Sequence, residues 1–245
     1  MSPPQIPGMP TPPPHDGGAG PYNSQSRLAR LDDIAWAKIA LAGQAAADVL
    51  GLTHAARGMR HYLGNTGTDY HIDPDKVMQD VPSVKDHAEY YLIEAIEQLK
   101  ENNPNLGSPI TFEVPWKGYA ITKDHSHDWF LAMAAVEVCS TGVVTFTEAT
   151  DGGTRPAVDM YYQTHMYDRY NWDNGKFVNF GKIEITDNMM GSLHTAGLAK
   201  EFNQFGTSST KHYKGALPMR GSSIHEGTES RQGDRSDPTR VVPSI

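Results

Sequence analysis

One cysteine, Cys139, stands in a chain of 245 residues, so no disulfide can form within it. It lies in an apolar, strand-like run, where a thiol without electropositive neighbours packs as a small hydrophobe rather than acting as a nucleophile. No stretch reaches the roughly 20 apolar residues that a bilayer-spanning helix needs; the nearest, residues 34–52, is broken by Lys38, Gln44 and Asp48. No run of Lys and Arg offsets a formal charge of −8 and a pI near 5.7. That balance excludes nucleic acid as the main partner, because phosphate contacts need a basic face. Neither the basic segment nor the apolar core of a secretory leader is seen at the N-terminus, so the expectation is cytosolic synthesis, with any export by a leader-independent route. A Gly-rich phosphate loop, paired zinc cysteines and a Gly-x-Ser-x-Gly elbow are also lacking, and with them the usual signatures of nucleotide-dependent and serine-hydrolase chemistry.

What is there divides the chain into four parts. Residues 1–25 hold eight of the 17 prolines and few apolar side chains, the composition of an arm that cannot offset its own ordering entropy. Residues 26–104 read as helical. Leu31, Ala35, Ile39, Ala42, Ala46 and Val49 recur at spacings of three and four over residues 28–52 and predict one buried stripe. A second helix is expected over residues 54–63. A third follows Pro82, with Ser83 as its cap, Asp86 at the capping-box position and an end at Asn102-Asn103-Pro104. From residue 108 to 215 the period shortens to that of strands: 110–115, 117–122, 129–139, 143–148 and 158–172 are rich in β-branched and aromatic residues. Ser140-Thr141-Gly142 and Asp151-Gly152-Gly153 read as turns between antiparallel neighbours. A last helix, capped by Asp187 and running to Phe202, closes the ordered part, and 216–245 reads as a disordered tail. The fold class is therefore α+β, an N-terminal helical region packed on a C-terminal antiparallel sheet with a final helix.

Asn174-Gly175 is the preferred dipeptide of a type I′ turn and predicts a hairpin between residues 158–173 and 176–186. A two-residue loop would then place His165 opposite Glu184 on one side. On the other side, the core side, Asp168 would stand opposite Gly181 and Tyr170 opposite Asn179. Asp168 thus projects from an apolar and aromatic face. Burying an unpaired carboxylate costs several kcal/mol, so such a group is paired, protonated, metal-bound or open to a pocket. A structural ion pair or cap is one reading. Catalysis is the other, with Tyr170 orienting a substrate or sharing a proton and with Arg169, Asn171 and Trp172 as binding neighbours.

Three histidine features read differently. His165 is expected in a surface charge network with Glu184 and Arg169, and His194 is expected to pack or cap within the last helix. His125 and His127 point the same way in an extended chain, which suits a shared metal ion as well as it suits a polar loop.

The run Asp168-Arg169-Tyr170-Asn171-Trp172, at the end of a long strand, resembles the Asp-x-Tyr-Asp motif of the colicin M-type, lipid II-degrading bacteriocins. The likeness covers the hairpin. Asn171 stands where the second acidic residue of that motif would be, and Phe177 and Val178 stand where a His-Arg pair follows. The resemblance implies a magnesium-dependent, phosphodiesterase-like toxin module with Asp168 and Tyr170 at its centre and a cell-envelope precursor as substrate. Three functions stay open on sequence: a toxin- or effector-like hydrolase of a phosphodiester or pyrophosphate; a binding module that recruits a protein or glycan through an aromatic sheet face of Tyr161, Tyr162, Tyr167, Tyr170 and Trp172; and a structural protein that self-associates through its Ala-rich helix.

Overall fold

A computed structural model describes residues 4–15, 17–26, 30–103, 106–149, 155–172, 177–180 and 182–224. Its elements follow the order α1 (Arg30–Val49), α2 (Thr53–Leu63), β1 (Tyr70–His71), α3 (Pro74–Asp80), α4 (Pro82–Asn102), β2 (Pro109–Ala120), α5 (His127–Met133), β3 (Ala135–Thr147), β4 (Ala157–Tyr170), β5 (Phe177–Phe180), β6 (Ile183–Thr186), α6 (Asp187–Thr195), β7 (Phe202–Thr207) and β8 (Lys211–Ala216). The α+β class holds. Among the described residues, no helix is long and apolar enough to cross a membrane.

β4 organises the sheet. One edge pairs with β3 over residues 157–167, and β3 pairs in turn with β2, all antiparallel. The other edge takes β8 along its first half and β7 along its second, and β1 joins β7 in parallel. Side chains alternate across a strand. The even-numbered residues of β4 therefore face the helices: Val158 and Met160 meet Leu92 and Ile96 of α4, Met166 meets Trp129 and Ala132 of α5, and Tyr170 meets Met59 and Tyr62 of α2. Burying each such aliphatic side chain contributes about 1.5–3 kcal/mol. The odd-numbered residues form the outer face, which no helix covers in these three core clusters.

Several expectations are corrected. The proposed partner of β4 is wrong: β5 pairs with β6, Phe177 opposite Thr186, and not with β4. The Asn174-Gly175 turn and Gly181 lie outside the described residues. β4 is free to pair with β7 because α6 stops at Thr195 rather than at Phe202, ended by Gly197 in the left-handed region at φ +72°. Its cap is Thr186, whose hydroxyl accepts the Met189 N–H at 3.2 Å, and not Asp187. The run 129–139 is not one strand. Ser126 accepts the Trp129 N–H at 3.3 Å and starts α5, and Ala134 at φ 50° separates it from β3. Residues 140–142 are mid-strand rather than a turn, because Gly142 leaves room for the Phe112 ring and the Tyr161 carbonyl. α4 begins with Pro82 in its first turn and Val81 in the cap position, so Ser83 and Asp86 form no capping box.

α1 also departs from expectation. Leu31 is 83 % exposed and Val49 87 %, while Asp33, Ala40, Gly43 and Ala47 are buried. The helix packs by its small side chains, which let α2 and α6 approach closely. Nor are the termini free of order where they are described. The arm is held by Thr141, which donates to the Pro7 carbonyl at 2.6 Å, and by Glu201, which accepts the Ala19 N–H at 3.0 Å. At the other end Leu217 and Ile224 belong to the core under α4, with the Ile224 N–H bonded to the buried Glu89 carboxylate at 3.0 Å.

Candidate functional site

The last residues of β4 extend past β3, paired with β7 alone, and beside α2, α5 and β5 they line a cavity of about 680 Å3. Asp168, Arg169, Tyr170, Asn171 and Trp172 all border it, as does His15 from the arm. The hairpin that suggested this grouping is not the hairpin that forms. Strand alternation alone placed Asp168 and Tyr170 on the helix side, and that part of the reasoning holds.

Asp168 stands opposite Gln204 of β7. The Gln204 amide donates to Asp168 Oδ2 at 2.9 Å and to the Ala132 carbonyl at 3.0 Å, so one buried side chain fixes the carboxylate and ties it to the last turn of α5. Tyr170, two residues on, lies in a bed of rings: stacked on Phe202 at 4.8 Å, edge-on to Trp172 at 5.8 Å, and against Gly58, where a Cβ would come 3.0 Å from its ring. Burial first, and then the Asp168 charge, push its phenol well above the usual range. The group stays protonated, so it serves as a donor or a wall and not as a phenolate nucleophile.

Behind these two residues is Glu201, 4 % exposed. Its carboxylate accepts the Ala19 N–H at 3.0 Å and the Trp172 N–H at 3.4 Å, with Arg169 Nη2 at 3.7 Å. Arg169 is held a second time by Asn203 Oδ1 at 3.1 Å. Glu201 thus seats the segment that carries Trp172, and the buried Trp172 indole nitrogen has no hydrogen-bond partner among the described residues. A buried donor left over at a cavity wall is one that a ligand acceptor can satisfy.

The histidines fall elsewhere. His125 turns back so that its Nδ1 accepts the Thr122 N–H at 3.2 Å, and His127 opens α5, so the extended geometry proposed for a shared metal does not exist. His165 is fully buried between Thr141 and Thr207, each at 2.9 Å, and is no surface residue. His194 packs, as expected, with Nδ1 accepting the Glu201 N–H at 3.2 Å and Nε2 against the Gly20 carbonyl at 3.1 Å. Among the described residues no three His, Cys, Asp or Glu side chains converge to hold a metal ion. Magnesium asks for less, one or two carboxylates with substrate phosphates and water completing its shell, and Asp168 meets that demand.

Sequence reasoning missed Gln204 and Glu201, because the last helix was expected to run to Phe202 and no strand was expected after it, where β7 lies. It also missed a second cleft of about 640 Å3 on the far side of Gln204. There His54 stacks on Trp129 at 3.7 Å, and burial lowers the imidazole's affinity for a proton despite Asp128 and Asp80 nearby. Both carboxylates are engaged: Asp128 accepts the His54 and Ala55 N–H groups at 3.0 and 2.8 Å, and Asp80 pairs with Lys76 at 2.6 Å and the Trp129 indole at 2.9 Å. This cleft is built as a structural joint between α2, α3 and α5.

The proposed aromatic sheet face does not form. Tyr161 and Tyr167 belong to the outer face, whereas Tyr162 and Tyr170 are core residues on the other. No protein-family model matches the chain, and neither the curated proteins nor the solved structures contain a match to it.

Proposed function

We propose that this chain is a toxin- or effector-like hydrolase that cleaves a phosphodiester or pyrophosphate bond in the cavity around Asp168. The observation that carries the reading is that five consecutive residues, 168–172, line one cavity, with the carboxylate fixed by a buried amide and set beside a protonated phenol. In this scheme Asp168 takes the proton of a water that attacks phosphorus, the bond to the leaving oxygen breaks, and a phosphate leaving group departs as an anion. Gln204 keeps Asp168 aimed, Tyr170 orients the substrate, and Arg169 and the Trp172 indole face its phosphate oxygens. Magnesium, held by Asp168 and the phosphates, would neutralise charge that develops in the transition state. The envelope precursor implied by the resemblance to the colicin M-type bacteriocins is the substrate class to try first.

The decisive trial replaces Asp168 with Asn and measures hydrolysis of a pyrophosphate-linked substrate with magnesium, alongside circular dichroism. A fall of about 100-fold or more with the fold retained is expected, in line with the loss of a general base. Unchanged turnover removes the proposal.

A further inference from the structure

Residues 4–14 cross the outer face of the sheet with a burial pattern of period three. Ile6 and Pro7, Met9 and Pro10, and Pro12 and Pro13 are half-buried, whereas Gly8, Thr11 and Pro14 are exposed. A strand would alternate in twos and an α-helix would repeat at 3.6. Three residues per turn is the period of the left-handed polyproline helix, and the prolines at 4, 7, 10 and 13 stand at that interval. Such a helix makes no hydrogen bonds of its own, so its carbonyls are offered outward. The sheet takes two of them: Thr141 donates to Pro7 O at 2.6 Å and the Trp116 indole donates to Thr11 O at 3.0 Å. Trp116 stands edge-on to Tyr167 at 6.4 Å, giving the aromatic lining that grips proline-rich segments in other recognition modules.

The face underneath is shaped for a cover. Cys139, Thr141, His165 and Tyr167 are all buried, and the two hydrophobic ones, Cys139 and Tyr167, belong to none of the three helix-covered core clusters. The arm supplies the cover, and a relay of hydrogen bonds runs from His165 through Thr141 to the Pro7 carbonyl. No strand ladder fastens residues 4–14. Preformed proline geometry and a few side-chain donors do so, a mode of holding that loses little entropy on seating and permits exchange.

We propose that the outer face of the sheet is a recognition groove for a segment with proline at every third residue, filled in cis by residues 4–14 and exchangeable with such a segment supplied in trans. The end of this segment, Pro13 and Pro14, and the His15 that follows are walls of the Asp168 cavity, so exchange also uncovers that cavity. The inference stands apart from the hydrolase reading and survives its failure.

The test uses the full chain in which Pro7, Pro10 and Pro13 are replaced by Gly, and a synthetic peptide of residues 4–14 as the probe. His165 is followed by NMR titration, and amide exchange in β3 and β4 reports the fold. In the unaltered chain His165, which burial lowers to about 4, keeps its low midpoint, and the peptide is taken up only in large excess, against the arm already seated. In the triple variant the midpoint rises by more than one pH unit and the peptide binds and reverses the rise. Adding Trp116→Phe, which keeps the ring and removes the donor, weakens the peptide about fivefold, the worth of one hydrogen bond. Two results overturn the proposal: a triple variant that titrates like the unaltered chain and ignores the peptide, or an unaltered chain whose arm a large excess of the peptide does not displace.

Discussion

The proton of His165 sits on Nε2. Thr141 spends its single hydroxyl proton on the Pro7 carbonyl, so at 2.9 Å it accepts from His165 Nε2, and Nδ1 is left to accept from Thr207. Burial holds this imidazole neutral and lowers its midpoint from 6.5 to about 4. The unfolded chain therefore binds a proton that the folded chain refuses. Stability from this residue is complete above pH 6.5, falls as the pH drops from 6.5 to about 4, and has lost about 3 kcal/mol below that. Urea melts at pH 7.5 and pH 4.5 on the unaltered chain and on His165→Gln measure the difference; the variant loses much less on acidification. At Gln204 the expected cost is of another kind. Gln204→Leu keeps the bulk but strips a donor from both Asp168 and the Ala132 carbonyl, which lowers stability by about 1–3 kcal/mol and, on the proposed function, lowers turnover at least tenfold. Residue by residue, the site was half legible in sequence. Alternation along β4 is a local property, and it put Asp168 and Tyr170 on the right side. Gln204 and Glu201 were hidden because their roles depend on which chain segment pairs with β4, a long-range matter.

At the scale of elements, β3 and α1 show how a small residue can be misread. Gly142 suggested a turn, but it is there to admit the Phe112 ring against a continuous strand. Gly142→Ala is accordingly expected to cost about 1–3 kcal/mol by overpacking. Gly118→Ala, which meets only the movable end of the Glu137 carboxylate at 3.1 Å, costs less than about 0.5 kcal/mol. Thermal melts of the two variants decide the matter. In α1 the two helical faces exchange roles relative to the sequence reading. Leu31→Ser leaves stability within about 0.5 kcal/mol, because the side chain is 83 % exposed. Ala40→Leu, on the buried face, destabilises by about 1–3 kcal/mol. Hydrophobic period located α1, α2 and α4 and the start of α6, and missed α3 and α5. It could not say which of two apolar stripes is covered, since alanine and glycine give a weak signal where close approach of a neighbour matters most. The error over residues 129–139 has the same root: two apolar segments of different period abut, and only Ser126 and the kink at Ala134 divide them.

Across the whole molecule, the helices cover one face of the sheet and the proline arm the other, and both coverings meet at the end of β4. Glu201 is the joint: it binds Ala19 of the arm and Trp172 of the cavity segment with one carboxylate. Glu201→Gln, which removes the charge paired with Arg169, is expected to raise amide exchange at Ala19 and Trp172 together, and a rise at only one of them would show that arm and cavity are uncoupled. The most direct measurement for the central claim, that residues 168–172 form the reaction cavity, uses the four tryptophan indole N–H signals of the chain. Titration with methylenediphosphonate, a pyrophosphate that cannot be cleaved, in the presence of magnesium should move the Trp172 indole signal and leave that of Trp36 in place, with the shift lost in Asp168→Asn. A Trp172 signal that stays fixed while the diphosphonate binds elsewhere, or that moves equally without Asp168, would contradict the account.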